Sequence, residues 1–152
     1  MNIIKVKIKN DYDMFTGISI TYEEYNQATG RYDTKTLEST EKPVPELLEA
    51  FKSLRAVAIY CGELPTNWES VLTVSGFSLT RTDDDLKVVM MAKRESTFGI
   101  PLNINTPIRF VHCDDDEKSM PTSYSTLLEL AILEVEAYVK GKRSQMEIGL
   151  EA

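Results

Sequence analysis

The stretch that most constrains this chain runs from Val71 to Pro107, VLTVSGFSLTRTDDDLKVVMMAKRESTFGIPLNINTP, and holds its longest apolar alternation. Side chains alternate faces along a strand, so an apolar residue at every second position marks a half-buried strand. Leu72 and Val74 share one face, but the next large apolar residues are Phe77 and Leu79, one step out of phase. One inserted residue at Ser75-Gly76 repairs the phase, which predicts a β-bulge at Gly76 and all four apolar side chains on the core face. Thr80 to Asp85 then reads as the polar tip of a hairpin. In the next strand Leu86, Val88, Met90 and Ala92 alternate with Lys87, Val89, Met91 and Lys93. Val89 and Met91 are apolar as well, so this strand is expected to be buried on both faces or to meet a partner on the second. Leu102 and Ile104, continued by Ile108 and Phe110, make a third strand. Pro101 and Pro107 lack amide donors, so that strand is interrupted or sits near an edge.

The flanks supply the rest of the fold. Ile4, Val6 and Ile8 alternate with Lys5, Lys7 and Lys9, which predicts a half-buried strand with a basic outer face. A second strand over 15–25 places Ile18, Ile20 and Tyr22 together, and Asn26 to Gly30 makes a hairpin turn. The third, over 31–39, has so little apolar content that it reads as a charged sheet edge. Pro43 and Pro45 suit a helix entrance. Leu47, Leu48, Phe51, Leu54, Val57 and Ala58 recur at helical spacing, with Gly62 as the expected C-terminal cap. Trp68 follows in a connection, where a core plug is favoured over an interface anchor. A last helix begins at Thr122 or Ser123 as cap. It carries Leu127, Leu128, Ala131, Ile132, Val135, Tyr138 and Val139, and stops at Gly141. The fold class is therefore α+β: two consecutive βββα units, antiparallel sheet or sheets with two amphipathic helices packed on them. One domain over 1–143 is expected, with β-rich halves 1–62 and 69–143 and a flexible tail over 144–152.

Charge and chemistry narrow the function classes. A net charge of −7 over 152 residues argues against nucleic-acid binding by the whole surface, which needs clustered Lys and Arg. A local basic patch of Lys5, Lys7, Lys9, Lys93 and Arg94 is compatible with it. Two acidic runs, Asp83-Asp84-Asp85 and Asp114-Asp115-Asp116-Glu117, read as solvated turns. Neither follows the calcium-loop pattern, and no metal is expected there. Cys61 and Cys113 make no metal pattern, and His112 beside Cys113 points to the opposite face of a strand. No Gly-rich phosphate loop or Ser/His/Asp pattern occurs, so neither catalytic residues nor cofactors are expected. Free thiols and the lack of a secretion signal point to the cytoplasm, and no stretch suits a membrane.

GFSL at Gly76 to Leu79, Lys93-Arg94 and LNINTP at Leu102 to Pro107 resemble a group of small uncharacterised proteins of tailed phages and prophages. The likeness covers roughly residues 70–140 and carries no catalytic residues. It implies a phage setting, with the host cytoplasm as location, and no particular chemistry. Three functions follow as expectations. The first is a non-enzymatic accessory protein that binds other proteins, as a homo-oligomer, with Trp68, Val89 and Met91 at the interface. The second is a nucleic-acid-associated replication or recombination factor, clamp-like or single-strand-binding, using the basic set. The third is an acidic mimic of nucleic acid that inhibits a host factor through the two aspartate runs.

Overall fold

Alternating apolar and polar residues carry the first two strands, β1 (Asn2–Asp11) and β2 (Met14–Asn26), into an antiparallel pair. The chain turns at Gly30, whose φ of 69° favours glycine, and returns as the edge strand β3 (Arg31–Ser39). Helix α1 (Pro45–Gly62) and a 3-10 turn (Thr66–Val71) lead to β4 (Leu72–Thr82) and β5 (Asp85–Arg94). Two short strands, β6 (Leu102–Asn105) and β7 (Arg109–His112), precede helix α2 (Thr122–Val139). This computed structural model describes residues 1–11 and 14–144.

The strands form one seven-stranded antiparallel sheet in the order β3-β2-β1-β4-β5-β6, with β7 also paired to β5. Both helices cover the same face. They run antiparallel, with Tyr60 near the end of α1 stacked on Tyr124 near the start of α2 at 4.8 Å. The core lies between them and the sheet. Leu47, Phe51, Leu54 and Val57 of α1, and Leu128, Ala131 and Val135 of α2, meet Val6, Ile20, Phe77, Val88 and Met90. Phe51 stacks on Phe77 at 5.8 Å.

The bulge expected at Gly76 is present. The β4–β5 register shifts between Val74 and Gly76, and Leu72, Val74, Phe77 and Leu79 are all buried. Glycine is required there because a Cβ would collide with the Val6 carbonyl oxygen and lie 3.0 Å from Lys7 Cα. At this bulge β4 docks against β1, joining the two halves of the sheet.

Several expectations are corrected. The second half is not a βββα unit: a 3-10 turn precedes it, and it has four strands. Thr106 causes the split. Its backbone N–H donates to the Met90 carbonyl and its Oγ1 accepts the Met90 N–H at 2.9 Å. Pro107 has no amide to donate, so pairing resumes only at Arg109. In β1 a register shift between Ile3 and Lys5 buries Ile3 with Val6 and Ile8 and leaves Ile4 half-buried. Helix α1 is capped by Glu63, at φ 52°, rather than by Gly62. Neither Thr122 nor Ser123 caps α2, which opens after Pro121 without a side-chain cap. Gly141 does end α2, at φ 111°. The Ser144 amide donates to the Lys42 carbonyl, and residues 145–152 of the expected tail lie outside the described residues. Among the described residues no helix is long and apolar enough to cross a membrane.

Candidate functional site

The face of the sheet away from the helices gathers Lys5, Lys7, Lys9 and Lys93 with Val89 and Met91. Strand register maps it. One row runs Thr36, Thr21, Lys5, Ser78, Val89. The next runs Glu38, Ser19, Lys7, Gly76, Met91, Asn105. Thr73, Lys93 and Asn103 align in a third, and Lys9 extends the β1 column. Lys87 lies at the far end of β5, opposite Phe110.

Thus Lys5, Lys7, Lys9, Lys87 and Lys93 share a face with Val89 and Met91. Lysines two residues apart on one strand stand about 6.8 Å apart, so β1 carries a row of three. Lys5, Lys7, Lys9 and Lys93 are exposed, and among the described residues none of the five makes an ion pair. The carboxylates in phase with this face lie at its margins: Glu23 and Glu38 on the β2–β3 side, Asp11 beyond Lys9, Asp85 before Lys87, and Glu95 after β5. Val89 and Met91 are half-buried between the lysine columns. Beside the bulge lies a hollow of about 290 Å³ lined by Lys7, Ser75, Met91, Lys93, Asn103 and Asn105. Ser75 Oγ donates to the Met91 carbonyl at 3.2 Å, which ties the bulge to β5 beneath the hollow.

The other named residues fall elsewhere. Arg94 alternates to the helix side, opposite Leu72. There its guanidinium lies 4.6 Å from the Trp68 ring centroid, so each occupies the other and neither joins the lysines or Met91. Trp68 is half-buried in the 3-10 turn, outside the core it was expected to plug. The aspartate runs leave the sheet at one end, because Leu86 pairs with His112 and so sets the turn at Asp83–Asp85 beside the loop at Asp114–Asp116. Asp83 adopts φ 53° in its turn. Asp115 organises its own loop, its Oδ1 accepting the Glu117 amide at 3.0 Å and its carbonyl accepting the Lys118 amide. Among the described residues no three His, Cys, Asp or Glu side chains are placed to hold a metal ion.

His112 and Cys113 do not form a nucleophile–base pair. His112 Nε2 is 3.0 Å from Glu129 Oε1, and the Cys113 thiol donates to the Asp115 carbonyl at 3.1 Å. Burial pushes the Cys61 thiol up to about 11, with nearby Arg109 acting in the opposite direction. It remains a protonated core residue at neutral pH.

Sequence reasoning missed Lys87, although its phase with Lys93 placed it on this face, and it missed Asn103 and Asn105. It also missed exposed apolar residues at the β6–β7 margin: Phe98, Ile100, Leu102 and Ile108. No protein-family model, curated protein or solved structure matches the chain.

Proposed function

We propose that this is a non-enzymatic accessory protein that binds an acidic protein partner on the open face of its sheet. The observation that carries the reading is the setting of Val89 and Met91: two apolar side chains flanked by lysines that make no ion pair among the described residues, on the sheet face away from the helices. An apolar centre with a charged rim is the anatomy of a protein interface, and the lysines select a partner of opposite sign. On a chain of net charge −7 such a patch is a local reversal of sign.

Self-association is part of the proposal, through a different surface. Lysine facing lysine disfavours a two-fold contact of open faces. The β6–β7 edge instead presents Ile100, Leu102 and Ile108, 78%, 52% and 64% exposed, beside edge strands able to add further strands. The opposite edge, β3, carries Arg31, Asp33, Lys35 and Glu38 and resists such pairing. The phage setting and cytoplasmic location rest on the sequence resemblance and on free Cys61 and Cys113. In the fold, the resembling residues serve structure: GFSL begins at the bulge and LNINTP contains Thr106.

A single-stranded nucleic acid is the second reading, favoured by the lysine row of β1. Against it, the aromatic groups on this face lie at its two margins, apart from the β1 lysine row. Tyr25 and Tyr32 pack edge to face at 5.5 Å, and Lys87 covers Phe110 at 5.3 Å. The mimicry reading has less support still, since Asp115 is engaged in its own loop.

Affinity capture from native lysate tests the proposal. A Lys7→Glu/Lys93→Glu variant should lose the partner that wild type retains, whereas Asp-to-Asn replacement in both acidic runs should leave capture intact. The reverse pattern contradicts the proposal and supports mimicry. Light scattering during size-exclusion chromatography addresses the oligomer: a strict monomer at high concentration removes that half.

A further inference from the structure

The helical layer, on the opposite side of the molecule, carries a second unpartnered surface. Between the N-terminal half of α1 and the middle of α2 runs a groove of about 400 Å³. Leu130 and Leu133 line it together with Ala50, and these leucines are 52% and 59% exposed. They are not part of the core, since α2 packs inward through Leu128, Ala131, Ile132 and Val135. Helix formation alone does not call for them, because Glu, Lys or Gln has similar propensity and keeps the surface polar. Adjacent exposed leucines in a groove mark a contact surface.

The rim identifies the occupant. Glu46 and Glu49 on α1 and Glu134 on α2 border the apolar floor. Glu46 and Glu49 make no ion pair among the described residues, and Glu134 is 3.3 Å from Lys142. A shallow groove between two helices accepts apolar side chains from one face of a third, spaced i, i+3, i+4 and i+7. Glu46 and Glu49 on the α1 side then favour cations flanking that apolar face, Glu134 being held by Lys142. We infer that the α1–α2 groove docks a basic amphipathic helix of a partner protein, through leucine-type anchors on Leu130 and Leu133 and cations against Glu46 and Glu49. A second copy of this chain is the poorer occupant, because a two-fold contact opposes the same carboxylates. The chain's own residues 145–152 are poorer as well, since Glu147 and Glu151 add like charge. This inference does not depend on the open-face proposal. With both surfaces engaged, the protein bridges an acidic partner and a basic one.

The test uses a labelled synthetic peptide of about 16 residues, with leucines at helical i, i+3, i+4 and i+7 spacing and lysines elsewhere. Its control has the same composition with that spacing scrambled. Fluorescence anisotropy should show the amphipathic peptide binding the full chain at least about tenfold more tightly than the control. Leu130→Ser/Leu133→Ser and Glu46→Lys/Glu49→Lys should each weaken binding by roughly tenfold or more. Lys7→Glu/Lys93→Glu should leave it unchanged, which separates this surface from the open face. The charge reversal alters only exposed positions and serves as the decisive variant if the leucine variant fails to fold. Equal affinity for both peptides, or wild-type binding by the charge reversal, overturns the inference. So does self-association that the leucine substitutions abolish, or peptide binding that emerges only once residues 145–152 are deleted.

Discussion

Strand β5 shows two faces of one sheet doing different work with similar residues. On the helix side Val88, Met90 and Ala92 are fully or almost fully buried. On the other side Val89 and Met91, one residue along, are half-buried among lysines. The first set is explained by the core, which needs apolar area removed from water. The second set is not, because nothing in the described fold covers it. Apolar residues that the core does not require point to a surface whose use lies outside the fold. Each substitution below compares the two faces by asking which residues hold the sheet together and which are left over.

The largest effect is expected where the faces share a backbone constraint. Gly76→Val should destabilise the protein by about 4 kcal/mol or more, because the new side chain drives β1 away from β4. A thermal melt checks this, and a near-native Tm would mean that β1 and β4 are not in contact. Met90→Ala should cost about 2–5 kcal/mol and Met91→Ala no more than about 1 kcal/mol. Equal losses, read by denaturant unfolding, would erase the distinction between the faces. Thr106→Val removes the partner of a buried amide and should cost about 1–3 kcal/mol.

A smaller, pH-dependent effect belongs to the core side. Cys61 is held up to about 11, against 9.0 for a free thiol. Between those values the unfolded chain ionises its thiol and the folded chain does not, so stability falls as pH rises from 9 to 11 and is unaffected by this group below 9. The slope should approach about 1.4 kcal/mol per pH unit from this group, and Cys61→Ala should reduce it. In the native state at pH 8, a thiol reagent should label half-buried Cys113 well before buried Cys61.

How much of this was legible in the sequence follows from which interactions are local. The bulge was readable because one residue inserted beside a glycine shifts the apolar phase of a strand by one step. Strand β3 was readable as an edge because its residues could not fill a core. The pairing of β1 with β4, which makes one sheet of two halves, leaves no local mark. Trp68 carries a hydrophobic surface but no address, so its pairing with Arg94 was out of reach. The separation of Arg94 from Lys93 was within reach, since neighbours on a strand face opposite ways. Leu130 and Leu133 fall outside the apolar stripe read for α2, but nothing in the helix pattern says that Ala50 of α1 lies beside them to form a groove. The lysines, with strict alternation against Val6 and Ile8, were the clearest part of the candidate surface, and Lys87 completes them.

The central claim is that the open face of the sheet is the binding surface for an acidic protein. Amide-resolved NMR titration tests it most directly, using an acidic, leucine-containing peptide and, separately, an oligothymidine at low and moderate salt. The peptide should shift the amides of Lys5–Lys9, Val89–Lys93 and Asn103–Asn105, and Lys7→Glu/Lys93→Glu should abolish those shifts while the protein stays folded. Shifts confined to the helical layer or the aspartate loops, or a response to the oligothymidine alone, would contradict it.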